Sequence, residues 1–550
     1  MRTPTRIVLA LFAAAFAFRP AAADPTAEAW REDLRTLAEQ LPRVHADAFH
    51  AVSREEWGRE VAALDRAIPT MTPNAIAVGL MRLVARIGDG HTSLNPFFLG
   101  GDAVSFHSAG ARLYAFSDGI FVRSADGGHR ELVGAKLVGV GGVPVEEAFR
   151  RVAEVVSHDN EEGLRLVVPM YLGIPEILGG LGLGDGRTAR WELEKDGRRF
   201  SVELPGVSPL AHGHGGGSVF IDPPGWIDAR SASGKPAPLW LKSPGDLYWM
   251  EYLAGPRVLY VQYNGVADKP EESIAAFFAR VFRFAGEHPV DRFVLDIRLN
   301  SGGNNFLNAP VVAGILRAHL DDRGKLFVVI GRSTFSAAQN LVNDLSRFAR
   351  PTFVGEPTGS RPSQYGDHEI VRLPRTGMAV AVSTMYWPDR TKPDPRAWTA
   401  PRIPAPLSFA AYRDGHDPAM EAIAQYRSIA AALRPAIESN DAGAVERAWR
   451  AFRADPVAAQ APIEAEMNDL GYDALRDGRR EIAVALFRLN VEAYPKSPNA
   501  RDSLGEAYLA SGDSARARDC YREVLALEPG NANAVRMLRL IDEREAGAKR

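Results

Sequence analysis

Apolar positions along this 550-residue chain change period several times, and each change marks a different kind of element. From residue 25 to about 95 the spacing is helical: Trp30, Leu34, Leu37 and Leu41 share one face, and Ile76, Leu80, Leu83 and Val84 share another. Pro69, Pro73 and Gly88 punctuate that segment. From about 100 to 205 the pattern predicts short strands separated by turns, with a helical run from Glu146 to Val152. Residues 206–246 are rich in Gly, Pro and Ser and read as an exposed connection. Strands and helices then alternate to about residue 425. Val294–Ile297 and Phe327–Ile330 read as buried strands, and a helix starting at Ser336 is predicted to present Leu341, Leu345 and Phe348 on one face. Such alternation predicts an α/β layer architecture.

The C-terminal part is helical and repeats itself. Leu470-Gly471 recurs 34 residues later as Leu504-Gly505, Gly478 as Gly512, Ala483 as Ala517, Phe487 as Tyr521 and Pro495 as Pro529. That period, with small residues where helices cross, resembles the tetratricopeptide repeat. Its function reads either as a groove for a protein partner or as a helical cap on the body of the protein. The segments so defined are 1–23, 24–98, 99–206, 207–246, 247–425 and 426–550, the repeats covering 467–534.

Composition narrows the class. With 46% hydrophobic and 24% charged residues the chain has a globular balance, and its length predicts several domains. A net charge of −3, with no basic run carrying interleaved aromatics, argues against nucleic acid as a partner. Arg2 and Arg6 precede the apolar run Ile7–Phe18, and Ala21-Ala22-Ala23 precedes Asp24, the order of a secretory signal peptide over 1–23. The run is too short for a stable anchor, so the expectation is a periplasmic or secreted protein without a membrane span after cleavage. Arg19, between apolar core and cleavage site, leaves a retained N-terminal helix as the alternative. Cys520 is the only cysteine, which excludes an intrachain disulfide, and it reads as a small buried hydrophobe in a helix.

The candidate chemistry sits in the α/β part. Thr334-Phe335-Ser336-Ala337-Ala338-Gln339 places a serine where a strand gives way to a helix, and Asn300-Ser301-Gly302-Gly303-Asn304-Asn305 ends the preceding strand in a glycine turn. Unpaired N–H groups and the dipole at a helix start favour negative charge, as an acyl-transfer nucleophile requires. Together with Gly88-Asp89-Gly90-His91-Thr92, Asp296–Gly303 and Gly355-Glu356-Pro357-Thr358-Gly359, these pieces resemble the S41 peptidases, the tail-specific and C-terminal processing proteases and their tricorn-like and interphotoreceptor retinoid-binding relatives. The resemblance spans roughly residues 25–425. It implies a multidomain α/β protein: a crotonase/ClpP-like layered core (247–425), an N-terminal helical cap (24–98) and a PDZ-like insert (99–206), to which the C-terminal helical repeats are added.

By that match Ser336 is the nucleophile. Where the processing proteases carry a lysine base this chain has Arg361, which cannot deprotonate, so a serine–lysine dyad is absent. The tricorn-like branch implies His91 as the base, although Gly90 stands where that pattern has a serine. Asp394 occupies about the place of the orienting acid, with Asp389 and Asp89 as competitors. The oxyanion hole falls to the amides of Ala337 and of Gly302 or Gly303. Asp296 and Arg298 read as scaffold, and Tyr386-Trp387 as core or pocket wall. His212-Gly213-His214 reads as a surface loop, since no Gly-x-Ser-x-Gly elbow exists and no third ligand stands at metal spacing. His45 and His50 lack a His-Glu-x-x-His pattern. The expectation is a serine endopeptidase with a polypeptide substrate and neither metal nor cofactor. The alternative is an inactive ligand- or peptide-binding protein on the same scaffold.

Overall fold

The computed structural model describes residues 25–98, 104–209, 218–232, 234–321, 324–389, 393–456, 458 and 463–548. The predicted signal peptide and the His212/His214 loop lie outside the described residues. No described helix is long and apolar enough to cross a membrane.

The N-terminal part folds as three helices, Ala27–Val44, Arg54–Ala67 and Pro73–Ala85. Each starts at a hydroxyl cap, Thr26, Ser53 or Thr72, and Ser53 forms a reciprocal capping box with Glu56. Trp30, Leu34, Leu37 and Leu41 are buried on one face of the first. The third is apolar nearly all round, with eight of its residues buried. It is therefore an interior helix rather than a surface one. It packs against the helix Pro175–Gly180, where a Cβ on Gly180 would meet Val78 Cβ at 2.7 Å.

Residues 107–209 form an antiparallel sheet in the order His107–Ala109, Arg198–Pro209, Thr188–Lys195, Lys136–Val140, Gly119–Ala125 and Ala111–Phe116. Its apolar face and the three N-terminal helices share one continuous core, from Trp30 through Val122 and Trp191 to Val382. The expected connection over 207–246 is less exposed than its composition predicts. Phe220 and Trp240 are buried, in edge-to-face contact at 4.8 Å, within an aromatic cluster that includes Phe116, Phe409 and Tyr412.

The α/β part is a six-stranded sheet in the order Ile403–Pro404, Thr352–Gly355, Leu326–Ile330, Arg292–Asp296, Val258–Tyr263 and Tyr248–Leu253. All pairs are parallel except the last. Side chains alternate across it. Leu259, Val261, Phe293, Leu295 and Val328 face the helices Ile274–Glu287, Ala309–Arg317 and Ala337–Phe348. Val258, Tyr260, Val294 and Phe327 face the helix Pro418–Gln425. Burial on both faces is why these strands read as continuous apolar runs. Leu341 and Leu345 are buried as predicted, but Phe348, the last residue of the helix, is 53% exposed. Asp296 and Arg298 form the expected pair at 2.8 Å, extended to Tyr260 and Asp417.

Between the fifth and sixth strands in sequence, a two-stranded hairpin, Gln364–Arg372 with Ala379–Trp387, leaves the sheet and joins the N-terminal helices. Beyond residue 428 helices continue to residue 548 around a separate core that holds Cys520. Cβ atoms on Gly471 and Gly505 would lie 2.4 and 3.0 Å from the rings of Phe487 and Tyr521. Both glycines thus mark close crossings of successive helices.

Candidate active site

Ser336 sits at the carboxyl end of the parallel strand Leu326–Ile330, and the Asn300–Gly303 turn closes the neighbouring strand Arg292–Asp296. Carboxyl ends of parallel strands are where such sheets open crevices for ligands. Thr334 fastens the two turns together: its hydroxyl donates to Ile297 O at 3.0 Å, and the Phe335 N–H donates to Asn300 O at 3.1 Å.

Ser336 has φ +56° and ψ −123°, a conformation that costs a non-glycine residue roughly 1–3 kcal/mol and persists only where neighbours impose it. Here they form a closed ring of bonds. The Ser336 N–H donates to Ser360 Oγ at 3.1 Å, the Ser360 hydroxyl to Gln364 Oε1 at 2.7 Å, and Gln364 Nε2 to Ser336 O at 3.0 Å. Ser360 and Gln364 were not singled out from the sequence, where only Arg361 in this segment drew a reading, as the residue in place of a lysine base.

Of the two glycines, Gly302 has its N–H engaged by Asn300 Oδ1 at 2.9 Å. Its carbonyl accepts the Val266 N–H, and Val266 O in turn accepts the Asn304 N–H, each at 2.8 Å. Among the described residues no acceptor meets the N–H of Gly303 or of Ala337. Gly303 needs to be glycine, since a Cβ there would lie 2.3 Å from Val266 O at φ +136°.

His91 reaches Ser336 from the far end of the chain. Its Nε2 lies 2.9 Å from Ser336 Oγ, and its ring stacks on Phe335 with centroids 4.5 Å apart. Gly90 precedes it where a Cβ would meet the Phe335 ring at 2.7 Å, which accounts for the missing serine.

Asp89 builds the loop that carries His91. Its Oδ1 accepts the N–H groups of His91 and Thr92 and the Ser383 hydroxyl, and its Oδ2 accepts from His45 Nε2 at 2.7 Å. His45 Nδ1 accepts the Asp47 N–H, which fixes its tautomer. Burial raises the Asp89 pKa, but the bonds from His45 and Thr92 outweigh it and hold the carboxyl at about 2. Ser93 and Ala381 exchange backbone bonds at 2.9 Å, so the hairpin of the α/β part grips this loop directly.

The acid expected from the sequence is placed elsewhere. Asp394 pairs with Arg396 at 2.6 Å, its N–H donating to Ser363 Oγ. Asp389 is buried beside Arg347 and Ser363, and Asp89 is the loop hub just described. Among the described residues the buried Nδ1 of His91 has no hydrogen-bond partner, so none of the three is bonded to it. Burial lowers the His91 pKa, which favours the neutral ring able to accept a proton. Arg361 turns away from Ser336, its Nε donating to Asp159 O at 2.7 Å. His45 and His50 stack near Tyr365, whose ring also meets Tyr386. Trp387 donates to Asp367. Among the described residues no three His, Cys, Asp or Glu side chains gather as a metal would require.

A hydroxyl at a helix start, an imidazole in contact with it and two free amides beside it are the parts of a serine hydrolase site. The fold is that of the S41 peptidases. Among solved structures the chain is similar to mature CPAF complexed with lactacystin, at 14% identity and a TM-score of 0.50, covering 72% of this chain and 97% of that one. It is also similar to the photosystem II D1 C-terminal processing protease, at 16% identity and a TM-score of 0.30, covering 72% of this chain and 98% of that one. A match to tricorn protease has 12% identity and a TM-score of 0.32, covering 72% of this chain and 36% of that one. No protein-family model and no curated protein matches the chain.

Proposed function

We propose that this chain is a secreted or periplasmic serine endopeptidase that cleaves polypeptides through an acyl-enzyme. The observation that carries the reading is the 2.9 Å contact between His91 Nε2 and Ser336 Oγ, residues 245 apart in sequence. His91 takes the Ser336 proton as Oγ attacks the scissile carbonyl. The developing oxyanion lies against the N–H groups of Ala337 and Gly303, while Gly302 supplies the close approach. His91 returns the proton to the leaving amine, and water then releases the acyl group by the same steps. In this reading the six-stranded sheet and its helices are a crotonase-like core, the antiparallel sheet belongs to the PDZ-like insert expected over 99–206, and the C-terminal helix pairs are tetratricopeptide-like repeats, an additional surface for a protein partner.

A binding protein on the same scaffold is the second reading, favoured by the Nδ1 of His91, which has no partner among the described residues. One experiment separates them: labelling of the purified protein with a fluorophosphonate probe, alongside hydrolysis of an unfolded polypeptide. Wild type is expected to label and cleave, and Ser336→Ala and His91→Ala to do neither. Equal labelling of wild type and Ser336→Ala removes the peptidase reading.

A further inference from the structure

Three segments far apart in sequence meet at one buried carboxylate beside His91. Asp159 is 3% exposed. Its Oδ1 accepts the Gly90 N–H at 2.7 Å, one residue before His91. Its Oδ2 faces the Arg361 N–H at 3.4 Å, and its own carbonyl accepts from Arg361 Nε. The next residue, Asn160, donates to Thr358 O at 3.1 Å and to Ala397 O at 2.8 Å. A Cβ built on Gly90 would lie 3.2 Å from Asp159 Oδ1, so the carboxylate is packed directly against the loop that holds the imidazole.

The other charged groups facing His91 are differently engaged. Asp89, on the same loop, is bonded to four donors. Asp367 and His368 approach from the hairpin, and Asp367 accepts from Trp387 Nε1 on its exposed side. Arg361 directs its Nε to the Asp159 carbonyl. Burial lowers the His91 pKa and raises that of Asp159, and the attraction between the two groups opposes both shifts, favouring the charged pair.

We propose that Asp159 is the acid of this site, a positioning residue that holds the His91 loop through the Gly90 amide and whose carboxylate stabilises the imidazolium. The proton moves from Ser336 Oγ to His91 Nε2, the ring keeps its own proton on Nδ1, and the charge so formed faces Asp159. This is the part that the sequence motif assigns to Asp394. The step rests on the peptidase reading, but the pairing of the two groups does not.

The pairing is read by NMR titration of the full-length protein labelled at histidine 13Cε1, with the His91 signal assigned by His91→Gln. The sign follows from charge: a nearby carboxylate raises an imidazole pKa, so removing it lowers the midpoint. Asp159→Asn is expected to move the His91 midpoint down by about one pH unit, and Asp394→Asn to leave it at the wild-type value. An unmoved midpoint in Asp159→Asn, or a shift in Asp394→Asn alone, overturns the inference. Should Asp159→Asn not fold, the wild type carries the test. With aspartate labelled at 13Cγ, the Asp159 carboxyl is expected to show an inflection at the His91 midpoint, and a curve without one overturns the pairing. Neither titration needs turnover, so failure here is distinct from failure of the peptidase reading, which the fluorophosphonate label decides. In an active enzyme, Asp159→Asn is further expected to lower kcat at least tenfold with KM nearly unchanged; equal losses in both would mark a merely structural residue.

Discussion

Gly302 determines how closely the Asn300–Gly303 turn approaches Ser336. A Cβ at this position would lie 2.6 Å from Ser336 Cβ and 3.0 Å from Ala337 N, and the residue holds φ +105°. The obstruction is backbone and Cβ, with no flexible side chain to yield, so Gly302→Ala must push the turn away from Ser336. The expected result is a fall in kcat of about a hundredfold or more, the scale of losing one oxyanion donor. The backbone strain adds roughly 1–3 kcal/mol to the cost, so the variant should still fold. Steady-state kinetics beside a thermal melt check this; a near-wild-type kcat would show that the turn does not serve the oxyanion. At this scale the motifs made Ser336, His91 and the glycine turn readable, because each depends on local backbone needs. Asp159 was not readable. It precedes the cap residue Asn160 of the helix Glu161–Tyr171, and an aspartate there looks like an ordinary helix-start acid until the fold brings residues 90 and 361 to it.

The element that decides the position of His91 is the hairpin Gln364–Trp387, a part of the α/β region that packs on the N-terminal helices. Its grip passes through Asp89, whose carboxylate accepts the Ser383 hydroxyl while binding the His91 and Thr92 amides. Because the folded pKa is depressed to about 2 from an ordinary 3.8, the ionised carboxylate stabilises the fold above about pH 4. That stability, on the order of 2 kcal/mol, is lost as pH falls through 2. Asp89→Asn is expected to lower stability by about that amount at pH 7 and to flatten its decline between pH 4 and 2, read by urea unfolding at several pH values. An unchanged urea midpoint at neutral pH would mean that the hub contributes nothing. Individual elements here were largely readable from periodicity, since Ile76, Leu80, Leu83 and Val84 are all buried as their spacing predicts. Their association was not. A break in period at residue 98 separates helices from strands, yet both sides share one core, because the helix Pro73–Ala85 is apolar on too many faces to be covered by its own segment. Burial of Phe220 and Trp240 likewise depends on long-range aromatic partners that a Gly- and Pro-rich stretch does not announce.

Across the whole molecule, the C-terminal helices attach to the α/β part at a joint centred on Glu466. This carboxylate is 2% exposed and accepts from the Tyr426 hydroxyl at 2.7 Å, the Ser428 hydroxyl at 2.8 Å and the Ala430 N–H at 3.1 Å. Tyr426 in turn packs edge-on against Phe327 of the central sheet, ring centroids 5.3 Å apart. A pair between Arg350 and Asp473 at 2.6 Å adds a more exposed contact, which solvent screening makes weak. The joint therefore depends on Glu466. Glu466→Ala leaves the buried Ala430 N–H and the half-buried Tyr426 and Ser428 hydroxyls without this acceptor, at or just before the start of the helix Ile429–Glu438, at a cost of about 2 kcal/mol. The loss is confined to the junction, because the helices beyond it keep their own core and the site at Ser336 uses none of these groups. Limited proteolysis should then cut the variant between about residues 425 and 430 and release the helical part, while hydrogen exchange rises in 429–438 and the rate of fluorophosphonate labelling stays near that of wild type. If the variant resists cleavage as well as the parent does, attachment rests on the apolar contacts and the more exposed ion pairs rather than on Glu466. If labelling falls together with cleavage, the helical part supports the site itself and is more than an appended surface.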